Sequence, residues 1–351
     1  LNNRLNVSFD AYIRDTKDML MAGKTLPGVY GASSPRMNVA DLRTKGWEAS
    51  ITWGDSFTLA SKPFNYRIMA GIGDNTSKVT KYDNPNRTLT DPYEGQQLGE
   101  IWGYVVDGYF KTDEEARNYK VDQSFVNQMI NASALDNGLH AGDLKFVDLD
   151  GNNKIEQTTS ANDRKDMKVI GNSLPRYNYN FGISADWYGI DFSVLFQGIG
   201  KQNWYPGAET SMFWGPYSRP YASFIPSDFM SQVWSEENTD AYFPRPRGYV
   251  ALGSNRELAV VNTKYLQNLA YCRLKNLSIG YTLPDKWLSK IGFEKIRVYF
   301  SGENLLTFTK LHSDYIDPEQ ASASNSWKTS KSDANIYPWA KTYSFGVDIT
   351  F

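Results

Sequence analysis

The sequence has 351 residues, a formal net charge of −2 and an aromatic share of 15%; so balanced a charge excludes nucleic acid as a partner, which needs a basic stripe. The single cysteine, Cys272, excludes a disulfide framework and a thiolate metal site, and two histidines, His140 and His312, leave little for triad or histidine-metal chemistry. No apolar run reaches the ~18 residues of a membrane-crossing helix, whereas a membrane β-barrel, with alternating strands, escapes that test.

A hydrophobic period of two picks out eight strands. The first, over 1–14, sets Leu5, Val7, Phe9, Ala11 and Ile13 against Arg4, Asn6, Ser8 and Asp10. The second, 45–54, carries Trp47, Ala49, Ile51 and Trp53 on one face; the third, 64–78, carries Phe64, Tyr66, Ile68, Ala70 and Ile72. In the fourth, 176–188, Tyr177, Tyr179, Phe181, Ile183, Ala185 and Trp187 alternate with Asn178, Asn180, Gly182, Ser184 and Asp186. The fifth, 189–202, repeats the pattern through Ile190, Phe192, Val194 and Phe196, and the sixth, 270–283, through Leu277, Ile279, Tyr281 and Leu283. Ile296, Val298 and Phe300 mark the seventh, 294–308, and Tyr343, Phe345, Val347, Ile349 and Phe351 the eighth, 341–351.

The connections between these strands run about 30, 9, 97, none, 67, 10 and 32 residues, alternately long and short. A soluble sandwich also alternates along its strands, but it has no reason to gather every long connection at one end. Aromatic residues such as Trp47, Trp53, Trp187, Tyr188, Tyr281, Tyr299 and Tyr343 fall where interfacial girdles belong. The expected fold is therefore all-β, a transmembrane antiparallel β-barrel with long extracellular loops at 79–175 and 203–269. Tyr179, Phe181, Ile183, Phe345, Val347 and Ile349 should face outer-membrane lipid; Asn180, Ser184 and Asp348 should face a wet lumen. Because the chain opens inside a strand, the whole of 1–351 reads as part of something larger.

Several motifs match a known pattern. Leu274-Lys275-Asn276-Leu277-Ser278-Ile279-Gly280-Tyr281-Thr282-Leu283-Pro284 is followed by Ile296-Arg297-Val298-Tyr299-Phe300-Ser301-Gly302-Glu303-Asn304-Leu305-Leu306-Thr307-Phe308. Asn38-Val39 with Lys45-Gly46-Trp47-Glu48, Gly95-Gln96 with Gly103-Tyr104-Val105-Val106-Asp107-Gly108, and Tyr337-Pro338-Trp339 through Phe351 extend the match along the chain. Together they resemble the C-terminal part of the SusC/RagA family of TonB-dependent outer-membrane transporters. The resemblance implies the last eight strands of a 22-stranded barrel in a Gram-negative outer membrane, with the plug domain, the TonB-contacting segment and the first 14 strands outside this sequence. It also implies import of oligomeric nutrients, glycans first and peptides second, with a SusD-type lipoprotein as a lid and TonB as the energy source through the plug. Phe351 resembles the terminal signal read by the barrel-assembly machinery.

One segment carries coordination chemistry. Asp148, Asp150, Asn152, the Lys154 carbonyl and Glu156 occupy alternate positions, as the oxygen ligands of a calcium loop do. Asn153 stands where such loops place glycine, and Thr159, at the twelfth position, is a poor ligand. Members of the resembled family often carry an acid and an arginine just after a similar loop. That parallel makes Asp163, in Asn162-Asp163-Arg164, the expected closing carboxylate of a structural Ca2+ site, against the metal-free alternative of a plain Asx-rich turn.

The second long connection is dense in aromatics, with Trp204, Tyr205, Phe213, Trp214, Tyr217 and Tyr221. These residues could pack on one another, meet a partner protein or stack against a ligand. The 39 acids form no distinctive pair, and there is no serine–histidine–acid frame, so no enzyme is expected. The alternative from another class is a secreted or surface β-rich carbohydrate-binding or adhesin module, which detergent dependence would separate from a barrel.

Overall fold

The computed structural model describes residues 4–23, 28–32, 35–127, 138–218, 224–246, 248–253, 256–289, 292–321, 331–332 and 337–351. Its main element is an eight-stranded sheet in which every strand pairs with its neighbours in sequence: β1 (Leu5–Ala22), β2 (Arg36–Leu59), β3 (Lys62–Lys81), β4 (Arg176–Trp187), β5 (Ile190–Lys201), β6 (Tyr271–Thr282), β7 (Lys295–Thr309) and β8 (Thr342–Thr350). All seven pairings are antiparallel. Among the described residues β1 and β8 do not pair with each other, so the sheet is an open meander.

Register turns the alternation of single strands into two continuous faces. One row runs Leu5–Trp53–Ile68–Ile183–Val194–Leu277 across six strands. A second runs Phe192–Ile279–Phe300–Phe345, and a third Ile190–Tyr281–Val298–Val347. The other face carries Arg67–Ser184–Ser193–Ser278–Ser301–Ser344. A one-residue slip in any pairing would interleave the two sets, which is why the hydrophobic pattern fixes the register.

Among the described residues the apolar face has no second sheet against it. Phe181, Ile183, Phe345, Val347 and Ile349 are all exposed, Phe345 by 83%, which a soluble core would not permit and lipid requires. Asn180, Ser184 and Asp348 lie on the opposite face, as expected. There Arg297 bridges Asp191 at 2.6 Å and Asp348 at 3.3 Å, tying β5, β7 and β8 together. Tyr179 crosses its neighbour Gly198 and donates its hydroxyl to the Tyr271 carbonyl at 3.0 Å; a Cβ at Gly198 would lie 2.6 Å from that ring.

At one end of the sheet the connections are tight. Ala60-Ser61 and Tyr188-Gly189 turn with positive φ throughout, as two-residue hairpins of matching twist require. A short helix, Asp285–Leu288, sits between β6 and β7. The girdle is here: Phe57, Phe64 and Tyr66 cluster with centroids 5.0–6.3 Å apart, Trp53 donates to the Tyr66 hydroxyl at 2.9 Å, and Lys62 lies over the Tyr188 ring.

Several strand boundaries in β1 to β3 differ from expectation. β1 and β2 run on to Ala22 and Arg36, shortening their connection, and β2 continues to a two-residue turn with β3. The added segments 15–22 and 36–44 carry polar residues on both faces, for example the exposed Arg43–Asp15 pair at 2.7 Å, so no alternation marks them while the backbone ladder continues.

The buried core lies outside this sheet. The described parts of the long connections 82–175 and 202–270 fold into one body, with small sheets pairing Glu100–Tyr104 with Met167–Asn172, and Val106–Tyr109 with Leu144–Phe146. Its cluster draws Tyr104, Phe146 and Ile155 from the first connection, Trp204, Trp214 and Tyr265 from the second, and Leu311 and Ile316 from the third. The two long connections are also stitched by Tyr109 and Tyr265, whose hydroxyls meet at 2.8 Å, and by Tyr104 N–H donating to the Val261 carbonyl.

Candidate functional site

The acidic loop begins where the short strand Leu144–Phe146 ends and closes where Met167–Asn172 begins. Gly151 and Asn153 take positive φ (79° and 63°), so the chain coils tightly around the Asp148 carboxylate. That carboxylate accepts from the Gly151 and Asn153 N–H groups, both at 2.7 Å. Asp150 accepts from Asn152 N–H at 3.1 Å, and the Asn152 side-chain oxygen accepts from Lys154 N–H at 2.8 Å.

Three carboxylates converge: Asp148, Asp150 and Asp166 each offer an oxygen within 4.8 Å of the others. Asp163 is not in this group. Its backbone is taken into a turn with Thr158 and Ser160 just after the inserted 157–161 stretch. Glu156 is not in the group either; it pairs with Lys165 at 3.2 Å and accepts from the Asn152 side-chain amide at 3.1 Å. Asp166 takes the closing place because it opens the next strand; it is fully buried and accepts from Leu149 N–H at 2.9 Å and Glu156 N–H at 2.7 Å. Burial raises its carboxyl above the usual range, the two backbone donors oppose this, and Asp150 and Asp148 push it further up. In the sequence, acids three apart at Asp163 and Asp166 compete for one role, and spacing cannot choose across an insertion of unknown path.

Of the three readings open for the aromatic residues of the second long connection, packing on one another is the one their burial favours. Trp204, Tyr205, Phe213, Trp214 and Tyr217 are all at most 2% exposed. Each spends its polar atom or ring edge internally: Trp214 donates to the Gly207 carbonyl at 2.9 Å, Tyr205 to the Leu258 carbonyl at 2.8 Å, and Tyr217 to the Pro244 carbonyl at 2.5 Å. A flat face held by neighbouring rings has none left for a ligand. Tyr221 lies outside the described residues.

One titratable group links the third connection to this core. His312 stacks on Tyr242 with centroids 3.5 Å apart, and its Nε2 lies 2.8 Å from the Gln232 side-chain oxygen. Burial depresses its pKa, Asp314 opposes this, and Lys264 adds to it. The folded state therefore disfavours the proton, so stability is present above the unfolded pKa of about 6.5 and is lost as pH falls through that value towards the lower folded one. His312→Phe is expected to flatten the acid limb of a thermal-stability profile between about pH 7 and 5. An unchanged limb would assign it to other groups.

An open antiparallel sheet with an apolar outer face, a hydroxyl-lined inner face and long connections at one end is a portion of a transmembrane β-barrel wall. No family model matches the chain. It is 28% identical over 369 residues to TonB-dependent receptor P3 of Formosa agariphila, covering all of this chain and 33% of that one. It is 22% identical over 353 residues to TonB-dependent receptor SusC of Bacteroides thetaiotaomicron, covering 100% and 30%. The solved structure of the RagAB peptide transporter superposes with a TM-score of 0.67 at 20% identity, over all of this chain and 33% of that one. The chain thus spans about a third of the length of the curated relatives it matches. Its sequence is similar to that of TonB-dependent receptors, SusC among them, and its fold to that of RagAB, β-barrel proteins of the Gram-negative outer membrane.

Proposed function

We propose that this chain forms the wall and outer loops of a TonB-dependent importer of oligomeric nutrients, glycans foremost. The observation that supports it is the two-faced sheet, apolar on one side and polar on the other, whose long connections 82–175, 202–270 and 310–341 all leave from one end. A SusD-type lipoprotein would seat on that outer body, and TonB would drive transport through a plug domain. RagAB carries the name of a peptide transporter, which makes peptide cargo the alternative. Deleting the gene should abolish growth on one class of oligomer as sole carbon source, with the lipoprotein co-purifying from detergent. Normal growth on both oligosaccharides and peptides would remove the proposal, and a detergent-independent soluble chain would favour the adhesin alternative.

A second reading is that the loop around Asp148 holds Ca2+. Three carboxylates within 4.8 Å, one of them buried, repel one another, and a divalent cation relieves that repulsion. Asp148, Asp150 and Asp166 would supply oxygens, with the Asn152 side chain and Lys154 carbonyl completing a shell at about 2.3–2.6 Å. The ion would be structural, stiffening a connection too long to hold still unaided. Asp166→Asn is expected to weaken calcium binding about tenfold or more by calorimetry, while Asp163→Asn leaves it unchanged. Equal protease resistance of the loop in calcium and in chelator would reduce the segment to an Asx turn.

A further inference from the structure

The third connection, 310–341, is fastened to the polar face of the sheet by a buried ionic group. Arg273 on β6, 2% exposed, donates to Asp317 at 2.6 Å, to Glu319 at 2.6 Å and to the Thr307 hydroxyl at 3.0 Å. Lys275 joins it because β6 bulges between Leu274 and Asn276, and its ammonium reaches both Glu319 oxygens at 2.8 and 2.9 Å. The second Asp317 oxygen accepts from Trp339 N–H at 3.1 Å, so one group holds both limbs of the connection. Two cations face two carboxylates. A buried pair of this kind adds little net stability but strongly resists being broken from one side, which makes it a rigid frame.

A cavity of about 650 Å³ opens on this frame, within the range of small-ligand sites. Phe224, Tyr315, Tyr337 and Trp339 line it, and all four rings are exposed, whereas the aromatics in the core of the outer body are turned inward. Phe224 and Tyr315 meet edge to face with centroids 4.7 Å apart. The charged lining residues are Arg273, Lys341, Asp314 and Asp317, which cancel, and the Thr307, Thr309 and Ser313 hydroxyls lie among them.

These features select among ligands. Flat aromatic faces suit the C–H face of a sugar ring, and the hydroxyls suit its rim. An anionic glycan finds no surplus cation. A peptide laid down as an added strand finds no free edge on β6 or β7, since β6 is paired with β5 and β7, and β7 with β6 and β8. We propose that this cavity is a subsite for an uncharged saccharide unit of the imported oligomer, with Arg273 and Lys275 as positioning residues. The assignment rests on the import reading above.

The test uses the full transporter with its lipoprotein in detergent. The probes are maltohexaose, cellohexaose, laminarihexaose, mannohexaose and xylohexaose, with hexagalacturonate and an alanine–serine hexapeptide for comparison. At least one neutral hexasaccharide should bind by calorimetry and quench tryptophan fluorescence. Trp339→Ala and Tyr315→Ala should each weaken it about tenfold. Trp287→Ala, an exposed residue at the opposite end of the sheet, should leave it unchanged. Arg273→Met should weaken binding and also expose the 310–321 segment to protease, the second effect being absent in Trp339→Ala. Binding by none of the neutral probes, preference for the anionic probe or the peptide, or indifference to Trp339→Ala overturns the subsite. Growth of the deletion strain is scored in parallel: a growth defect without Trp339-dependent binding sinks the subsite alone, and no defect on glycans or peptides sinks the import reading.

Discussion

Replacing Ile183 by arginine is expected to cost the assembled barrel roughly 2–4 kcal/mol, the price of a charge near the bilayer midplane. Ile183 stands mid-row between Ile68 and Val194, with further apolar rows towards both ends of the strands. Its side chain is 44% exposed in the chain, and its cross-strand neighbours Ile68 and Val194 cannot neutralise a guanidinium. The neighbouring Ser184 points to the other face, within the serine row that continues through Ser193 and Ser278. Ser184→Arg should therefore cost about 1 kcal/mol or less, chiefly the repulsion of Arg67 opposite it, although the two positions are adjacent and receive the same side chain. Urea titration of the transporter in lipid vesicles reads the difference, supported by the amount recovered in outer membranes. Equal costs at the two positions would mean that the sheet does not separate lipid from lumen.

The contrast between neighbours was legible in the sequence because burial and exposure alternate with the pleat wherever one side meets lipid. Where both sides meet water, as in the outer parts of β1 and β2 around Asp15 and Arg43, the same backbone ladder leaves no hydrophobic trace. The density of aromatics after Trp204 was equally visible, but composition does not say whether a ring faces inward. Only the meeting of two connections far apart in sequence, through pairs such as Tyr109 and Tyr265, turns those rings into a core. Lys275 sat in plain view within the Leu274 to Pro284 motif. Its role depends on a bulge and on Glu319, which lies 44 residues further along the chain. Asp166 was missed for a related reason, since the carboxylate that closes a loop is chosen by the path of the chain between.

The second large effect falls in the outer body. Trp214→Ala is expected to destabilise it by about 3–5 kcal/mol, the usual range for truncating a buried large aromatic. The ring is fully buried, perpendicular to Phe213 at 4.8 Å and edge-on to Tyr265 at 5.2 Å, with Phe243 and Tyr205 beyond. The substitution also leaves the Gly207 carbonyl without its indole donor. Trp214→Phe keeps most of the volume and should lose chiefly that hydrogen bond, about 1 kcal/mol. Because the sheet buries none of its own core against this residue, barrel formation should survive in both variants. Heat-modifiable migration would then stay intact while hydrogen exchange in 100–127 and 204–218 rises together, since the two connections share one cluster. A variant that weakened ligand binding without touching exchange would return Trp214 to the contact role its burial argues against. If only 204–218 loosened, the two connections would be independent loops.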